Sequence, residues 1–263
     1  MIGAIAGDMI GSPYEGYPIK HTHFDLVVSA FTDDTVLTIA IAYCILYEAD
    51  MASSLRKFAE KYPHLPYGSG FRNWVRSWDS KPYNSFGNGS AMRVSPVGFA
   101  YHSDEDILYQ AKRTAEVTHN HPEGIKGAQA TALAIYLARK GESKDAIRQE
   151  ITDRFSYNLN RTVDDIRPNY RFDVTCQGSV PESIIAFLDS DSWEDAVKKS
   201  ISLGGDADTL ACITGGIAQA YYKKIPDKIA EAVRNKLPPD LREILDQFNA
   251  QFLNERFPDP SYK

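Results

Sequence analysis

Two short stretches of this chain carry oxygen-bearing side chains at spacings that chemistry can use. In residues 204–216, GGDADTLACITGG, two glycines free the backbone for a tight turn. Asp206 and Asp208 follow with one small residue between them, and Thr209 adds a hydroxyl before an almost wholly apolar run. Far upstream, Thr32, Asp33, Asp34 and Thr35 stand directly before Val36, Leu37, Ile39, Ala40, Ile41 and Ala42. Each stretch reads as the N-terminus of a buried helix. One acid there offsets the helix dipole and satisfies an orphan N–H. Several acids crowded at one helix head repel each other unless a cation lies between them. The spacing therefore admits two readings: independently capped helices, or two helix ends converging to offer about six oxygen ligands to a hard divalent cation. An all-oxygen set suits Mg²⁺ or Mn²⁺ better than zinc, and no Cys/His spacing competes for the role.

Three further segments have usable chemistry. Residues 2–11 fit a short buried helix that Ser12, Pro13 and Tyr14 break, delivering Glu15 to a loop before Gly16. In residues 83–93, YNSFGNGSAMR, the residues Gly87, Asn88 and Gly89 suit positive φ. A glycine-rich turn feeding a helix exposes backbone N–H groups to a phosphate or diphosphate. The spacing fits neither the P-loop nor the Rossmann pattern, so a simple turn is the other reading. His119 and His121 flank Asn120 before Pro122 with no third soft ligand nearby. One is expected to hydrogen-bond a ligand hydroxyl or phosphate, the other to stabilise its loop.

Helices must position these groups. Apolar periodicity predicts them at 33–48, 51–62 and 71–79, the last with Trp74 and Trp78 as a core pair. Another runs through Val94, Val97 and Phe99 with a kink at Pro96. Further helices are expected at 104–116 with Ser103 as cap, and at 123–141, 144–155, 180–188, 193–203, 226–236 and 238–252. Residues 156–175 are polar and irregular. No alternating strand pattern is found, so an all-α, compact single domain spanning residues 1–263 is expected.

A net charge of −6 and a pI near 5.5 argue against a broad nucleic-acid surface, though local phosphate binding is untouched by that. The 43% hydrophobic and 24% charged content is that of an ordinary globular protein. Of the three cysteines, Cys44, Cys176 and Cys212, the first and last lie within the apolar helices and are expected as buried free thiols, which implies a reducing compartment. The N-terminal segment lacks a basic n-region and no apolar run reaches membrane-spanning length, so a cytoplasmic monomer is expected.

Taken in order, Gly7-Asp8, Gly11-Ser-Pro-Tyr-Glu15, Thr32-Asp-Asp-Thr35, Gly87-Asn-Gly-Ser-Ala-Met-Arg93, Thr118-His119 and Gly204-Gly-Asp-Ala-Asp-Thr209 resemble the ADP-ribosylglycohydrolase family over nearly the whole length. That family includes the dinitrogenase-reductase-activating glycohydrolases. The resemblance implies an orthogonal all-helical bundle with two Mg²⁺ or Mn²⁺ ions at the bottom of a cleft. Thr32, Asp33, Asp34, Asp206, Asp208 and Thr209 match its metal ligands. Glu15 matches a mobile glutamate that approaches the second metal and the reacting water. Ser85, Phe86, Gly87, Asn88 and Gly89 match the loop around the diphosphate, with Phe86 on the adenine side, Met92 in the same motif and His119 in the ligand cleft.

The implied reaction hydrolyses an N- or O-glycosidic bond at the anomeric carbon of the distal ribose, through oxocarbenium-like charge. Glu15 is the candidate to position or deprotonate the water, and Asp34 the next. The implied substrate is an ADP-ribosylated protein, nucleic acid or small molecule, its acceptor read by residues 63–86 and 156–175. Two alternatives stand beside this: a non-catalytic ADP-ribose-binding or structural member of the fold, and a metal-dependent phosphohydrolase attacking the diphosphate.

Overall fold

The structure, a computed structural model, describes residues 1–77, 79 and 81–253, and fifteen α-helices form there. The first seven are α1 (Ile2–Gly11), α2 (Asp33–Tyr47), α3 (Met51–Lys61), α4 (Ser69–Arg76), α5 (Gly89–Met92), α6 (Ser95–Ala100) and α7 (Asp104–Glu116). They are followed by α8 (Pro122–Lys140), α9 (Lys144–Phe155), α10 (Val163–Ile166) and α11 (Cys176–Leu188). The last four are α12 (Trp193–Ile201), α13 (Ala207–Tyr222), α14 (Asp227–Lys236) and α15 (Pro239–Phe252). Among the described residues no strand forms; a single antiparallel bridge joins Gly87 to Thr175. Among the described residues no helix is long and apolar enough to cross a membrane.

Small residues four apart set the centre of the molecule. Gly3, Gly7 and Gly11 on α1 meet Gly215, Ala211 and Ala207 on α13 in reverse order, so the two helices run antiparallel. A Cβ added to Gly7 would lie 2.0 Å from the Ala211 carbonyl oxygen, and one on Gly3 would lie 2.5 Å from that of Gly215. The backbones therefore touch, which only glycine on α1 permits. This seam fixes Asp8, the neighbour of Gly7, among the helix heads of the site. Around it, Val36–Ala42 of α2 and Ala207–Ala218 of α13 are buried without interruption, as expected for helices apolar on every side.

Several local expectations are corrected. The helix placed at 71–79 runs from Ser69 to Arg76; Trp74 is buried and Trp78 lies outside the described residues. Pro96 does not kink a helix but opens α6, where its missing N–H is harmless. None of Gly87, Asn88 and Gly89 has positive φ; the left-handed residue of that loop is Asn84, at φ 53°. Residues 156–175 contain the short helix α10, whose Thr162 and Asp165 form a reciprocal cap. That excursion is pinned to α11 by a bidentate pair from Arg161 to Glu182 at 2.9 and 2.8 Å.

Candidate active site

The site is built where the heads of α2 and α13 meet the C-terminal half of α1. Asp8, fully buried on α1, accepts from the backbone N–H of Thr32 at 3.0 Å and of Thr35 at 3.2 Å, and from both threonine hydroxyls. It caps α2 from outside. Burial raises its carboxyl to about 6 against those four bonds, so the cap is held at a cost. Thr32 Oγ1 donates to Asp8 and accepts from Asp34 N–H at 3.2 Å, which leaves one lone pair unspent.

At the head of α13, Gly204 and Gly205 both take left-handed φ, 75° and 79°, and turn the chain into Asp206. Asp206 occupies the N-cap position yet its side chain caps nothing; it accepts instead from Asn88 Nδ2 at 2.7 Å. Gly16 N–H donates to the Gly205 carbonyl at 2.8 Å, which seats the exposed Glu15 beside this turn. One carboxylate oxygen each from Glu15, Asp206 and Asp208 then lie within 4.8 Å of one another. Thr209 Oγ1 donates to Asp34 Oδ1 at 3.4 Å, tying the α2 acids to the α13 acids.

Electrostatically the cluster is uncompensated. Burial first, then neighbouring aspartates, pushes the Asp34 and Asp208 carboxyls well above the ordinary range. Burial and Asp8 lift Asp33 to about 7, and Glu15 is raised by burial, Asp206 and Asp8. Asp34 Oδ2 is buried with no hydrogen-bond partner. A spare carboxylate oxygen among crowded acids is what a hard divalent cation satisfies, and the donors are all oxygen. The residues present fit such an ion.

These acids floor a cleft of about 320 Å³. Its walls include Pro66, Gly68–Phe71, Tyr83, Ser85, Gly87–Gly89, Met92, Arg93, His119 and Val174. The glycine loop is held open by backbone bonds to the excursion, Asn88 N–H to Val174 O at 2.8 Å and Cys176 N–H to Phe86 O at 2.9 Å. Ser85 Oγ accepts from Gly87 N–H at 3.1 Å. His119 packs beneath the loop, its Nε2 only 3.2 Å from where a Cβ on Gly89 would sit. A side chain at 89 would crowd that ring, and no positive φ accompanies the contact.

Glu15, Asp33, Asp34, Asp206, Asp208, Thr209, Ser85, Gly87, Asn88, Gly89, Met92 and His119 all line this one cleft. Thr32 and Phe86 do not: Thr32 lies behind Asp34 against Asp8, and Phe86 is 45% exposed with its ring 5.3 Å from that of His121. His121 Nδ1 accepts from Glu123 N–H and caps α8, the loop-stabilising member of the histidine pair. Ser90 turns away to donate to the Gly124 carbonyl. Sequence reasoning gave no role to Asp8, Arg93 or Tyr83. A lone acid inside an otherwise apolar, glycine-spaced helix was the available signal for Asp8, since such a charge must be fully hydrogen-bonded to stay there.

Comparison with known proteins agrees with the fold. The ADP-ribosylglycohydrolase family profile matches residues 1–259. The chain is 27% identical to human ADP-ribosylhydrolase ARH3, with 84% of each chain covered. It is 24% identical to the ADP-ribosylarginine hydrolase Tri1 of Pseudomonas putida (strain GB-1), over 84% of this chain and 69% of that one. A solved structure described as an ADP-ribosylglycohydrolase-related protein complex shares the fold, with a TM-score of 0.72 at 23% identity over 94% of this chain and 93% of the other. With its fold and its full-length match agreeing, this chain belongs to the ADP-ribosylglycohydrolase family.

Proposed function

We propose that the protein hydrolyses the bond between the anomeric carbon of an ADP-ribosyl group's distal ribose and its acceptor, with two divalent cations, Mg²⁺ or Mn²⁺, at the cleft floor. The observation that carries this reading is the grouping of Glu15, Asp206 and Asp208 oxygens within 4.8 Å, beside the orphan Asp34 Oδ2. Asp33, Asp34, Asp206, Asp208 and Thr209 would hold the cations, with the remaining Thr32 lone pair as a further donor. Bound there, the cations would orient the distal ribose through its hydroxyls and make a nearby water easier to deprotonate.

The chain's own groups do the rest. Glu15 sits at the rim of the cluster on a loop, and its raised carboxyl suits a base that positions the attacking water and takes its proton. Asp34 is the next candidate. The glycine loop of residues 85–89 and the His119 ring receive the diphosphate side of the ligand. Pro66, Gly68–Phe71 and Tyr83 form the wall where an acceptor would lie. The relatives named for ADP-ribosyl hydrolysis support the same chemistry here, and their different names leave the acceptor of this chain to experiment.

The test is product analysis by mass spectrometry on arginine-, serine- and nucleic-acid-linked ADP-ribose, with Mg²⁺ and with chelator. Metal-dependent release of intact ADP-ribose from one class is expected and names the acceptor. Release of AMP would replace the proposal with a phosphohydrolase, and ADP-ribose binding without product would replace it with a binding module.

A further inference from the structure

Arg93 is a charged side chain with no exposure to solvent and, among the described residues, no carboxylate partner. Its Nη2 donates to the Thr114 carbonyl at 2.7 Å and to Thr118 Oγ1 at 2.8 Å, while Nε and Nη1 find no acceptor. A guanidinium buried on those terms needs a reason beyond packing. Thr118 Oγ1 in turn lies 2.7 Å from His119 Nδ1.

The direction of that last bond follows from counting protons. Arginine only donates, so Thr118 Oγ1 is the acceptor toward Arg93. The hydroxyl keeps one proton, it is fully buried, and the described residues offer it no other acceptor than His119 Nδ1. Were Nδ1 protonated instead, two hydrogens would compete in that contact and the threonine proton would stay buried unpaired. The geometry points to Arg93 and Thr118 as positioning residues that fix His119 as the neutral tautomer protonated on Nε2. Burial and the Arg93 charge both disfavour the imidazolium, in the same direction.

Nε2 has no hydrogen-bond partner among the described residues and faces Gly87 and Gly89 on the cleft wall. His119 is thereby a donor and never an acceptor toward the cleft, matched to a phosphate or ribose oxygen of an ADP-ribosyl ligand. That last step rests on the proposed function; the tautomer does not.

The experiment is histidine-selective ¹⁵N labelling of the full chain and a long-range ¹H–¹⁵N spectrum, with His119 assigned through His119→Gln. The wild type is expected to show the Nε2–H tautomer alone at neutral pH. Thr118→Val should turn it into a mixture and weaken ADP-ribose binding about five- to tenfold, the scale of one misdirected hydrogen bond, and Thr118→Ser should restore both. An Nδ1–H tautomer or an imidazolium in the wild type overturns the assignment, as does an unchanged tautomer in Thr118→Val. The wild-type spectrum decides the point even if a variant fails to fold. Adding ADP-ribose separates the two layers: an Nε2–H tautomer whose signals ignore ADP-ribose upholds the positioning role and overturns the ligand reading.

Discussion

Asn88 Nδ2 stands 2.7 Å from Asp206 Oδ2 and 3.0 Å from Ser179 Oγ, so the glycine loop is hydrogen-bonded directly to the acid at the head of α13. The loop that lines the cleft thus also orients a carboxylate proposed to hold a cation. Partners of this kind typically contribute about 10- to 100-fold in metal affinity. Asn88→Ala is expected to weaken Mg²⁺ binding by that order in calorimetry while leaving the protein folded. Wild-type affinity would detach the loop from the metal site.

Asp206 and Asp208 supply two of the three carboxylate oxygens that lie within 4.8 Å of one another. Asp206→Ala and Asp208→Ala are each expected to reduce Mg²⁺ affinity strongly, because the remaining oxygens are too few for octahedral coordination. An unchanged calorimetric titration in either variant would remove that acid from the site.

Glu15 reaches the cluster from an exposed loop, held by the Gly16–Gly205 backbone bond and by Lys20 Nζ donating to the carbonyls of Tyr170, at 3.0 Å, and Leu203. Its side chain lines the cleft at the acidic edge, beside Asp206 and Asp208. Glu15→Ala is expected to keep ADP-ribose binding near wild type and to cut turnover by about 10²- to 10⁴-fold. Lost binding with full residual turnover would contradict the role of base.

The acid cluster makes stability depend on pH in a set direction. Asp33 sits at about 7 and Asp8 at about 6, with Asp34, Asp208 and Glu15 also raised, against about 3.9 to 4.3 in an unfolded chain. Between those values the folded, chelated protein binds more protons than the unfolded one, so its stability falls as pH rises from about 4 through 7. In chelator, Tm is expected to be lower at pH 8 than at pH 6. Mg²⁺ should narrow that gap, because a bound cation favours the ionised ligands and releases protons. A Tm in chelator that climbs from pH 6 to pH 8 would mean the acids are already compensated.

Much of this arrangement was legible because it is written in residue types with few alternative uses. Two acid-and-hydroxyl pairs before apolar helices announce themselves, and α7, α9 and the Gly204-Gly205 turn fall where capping, periodicity and glycine signals respectively put them. What sequence hid were partners distant in the chain. Asp8 caps a helix 24 residues away, and Asn88 finds Asp206 across 118. Local reasoning assigned Gly87–Gly89 a left-handed turn, because it sees backbone freedom before it sees a neighbour. At Gly89 that neighbour is the His119 ring, contributed by another segment entirely.

The glycines of α1 are the opposite case: in a short buried helix they allow close packing, and the structure shows α13 as the surface they pack on. A Cβ on Gly7 would fall 2.0 Å from the Ala211 carbonyl oxygen and 2.9 Å from the Cys212 nitrogen, both backbone atoms that cannot swing aside. Alanine has the better helix propensity by about 1 kcal/mol, so a locally dominated helix would be stabilised by the change. Overpacking here must instead push α1 off α13, at a cost of about 1–3 kcal/mol or more. The displaced helix carries Asp8 with it, and the cap on α2 loosens. Gly7→Ala is therefore expected to lower Tm and to weaken Mg²⁺ binding together, whereas Gly16→Ala, where no atom lies within 4 Å but φ is 75°, should strain only the Glu15 loop and leave Mg²⁺ affinity closer to wild type. A stabilised Gly7→Ala protein would show that the α1–α13 seam does not set the site.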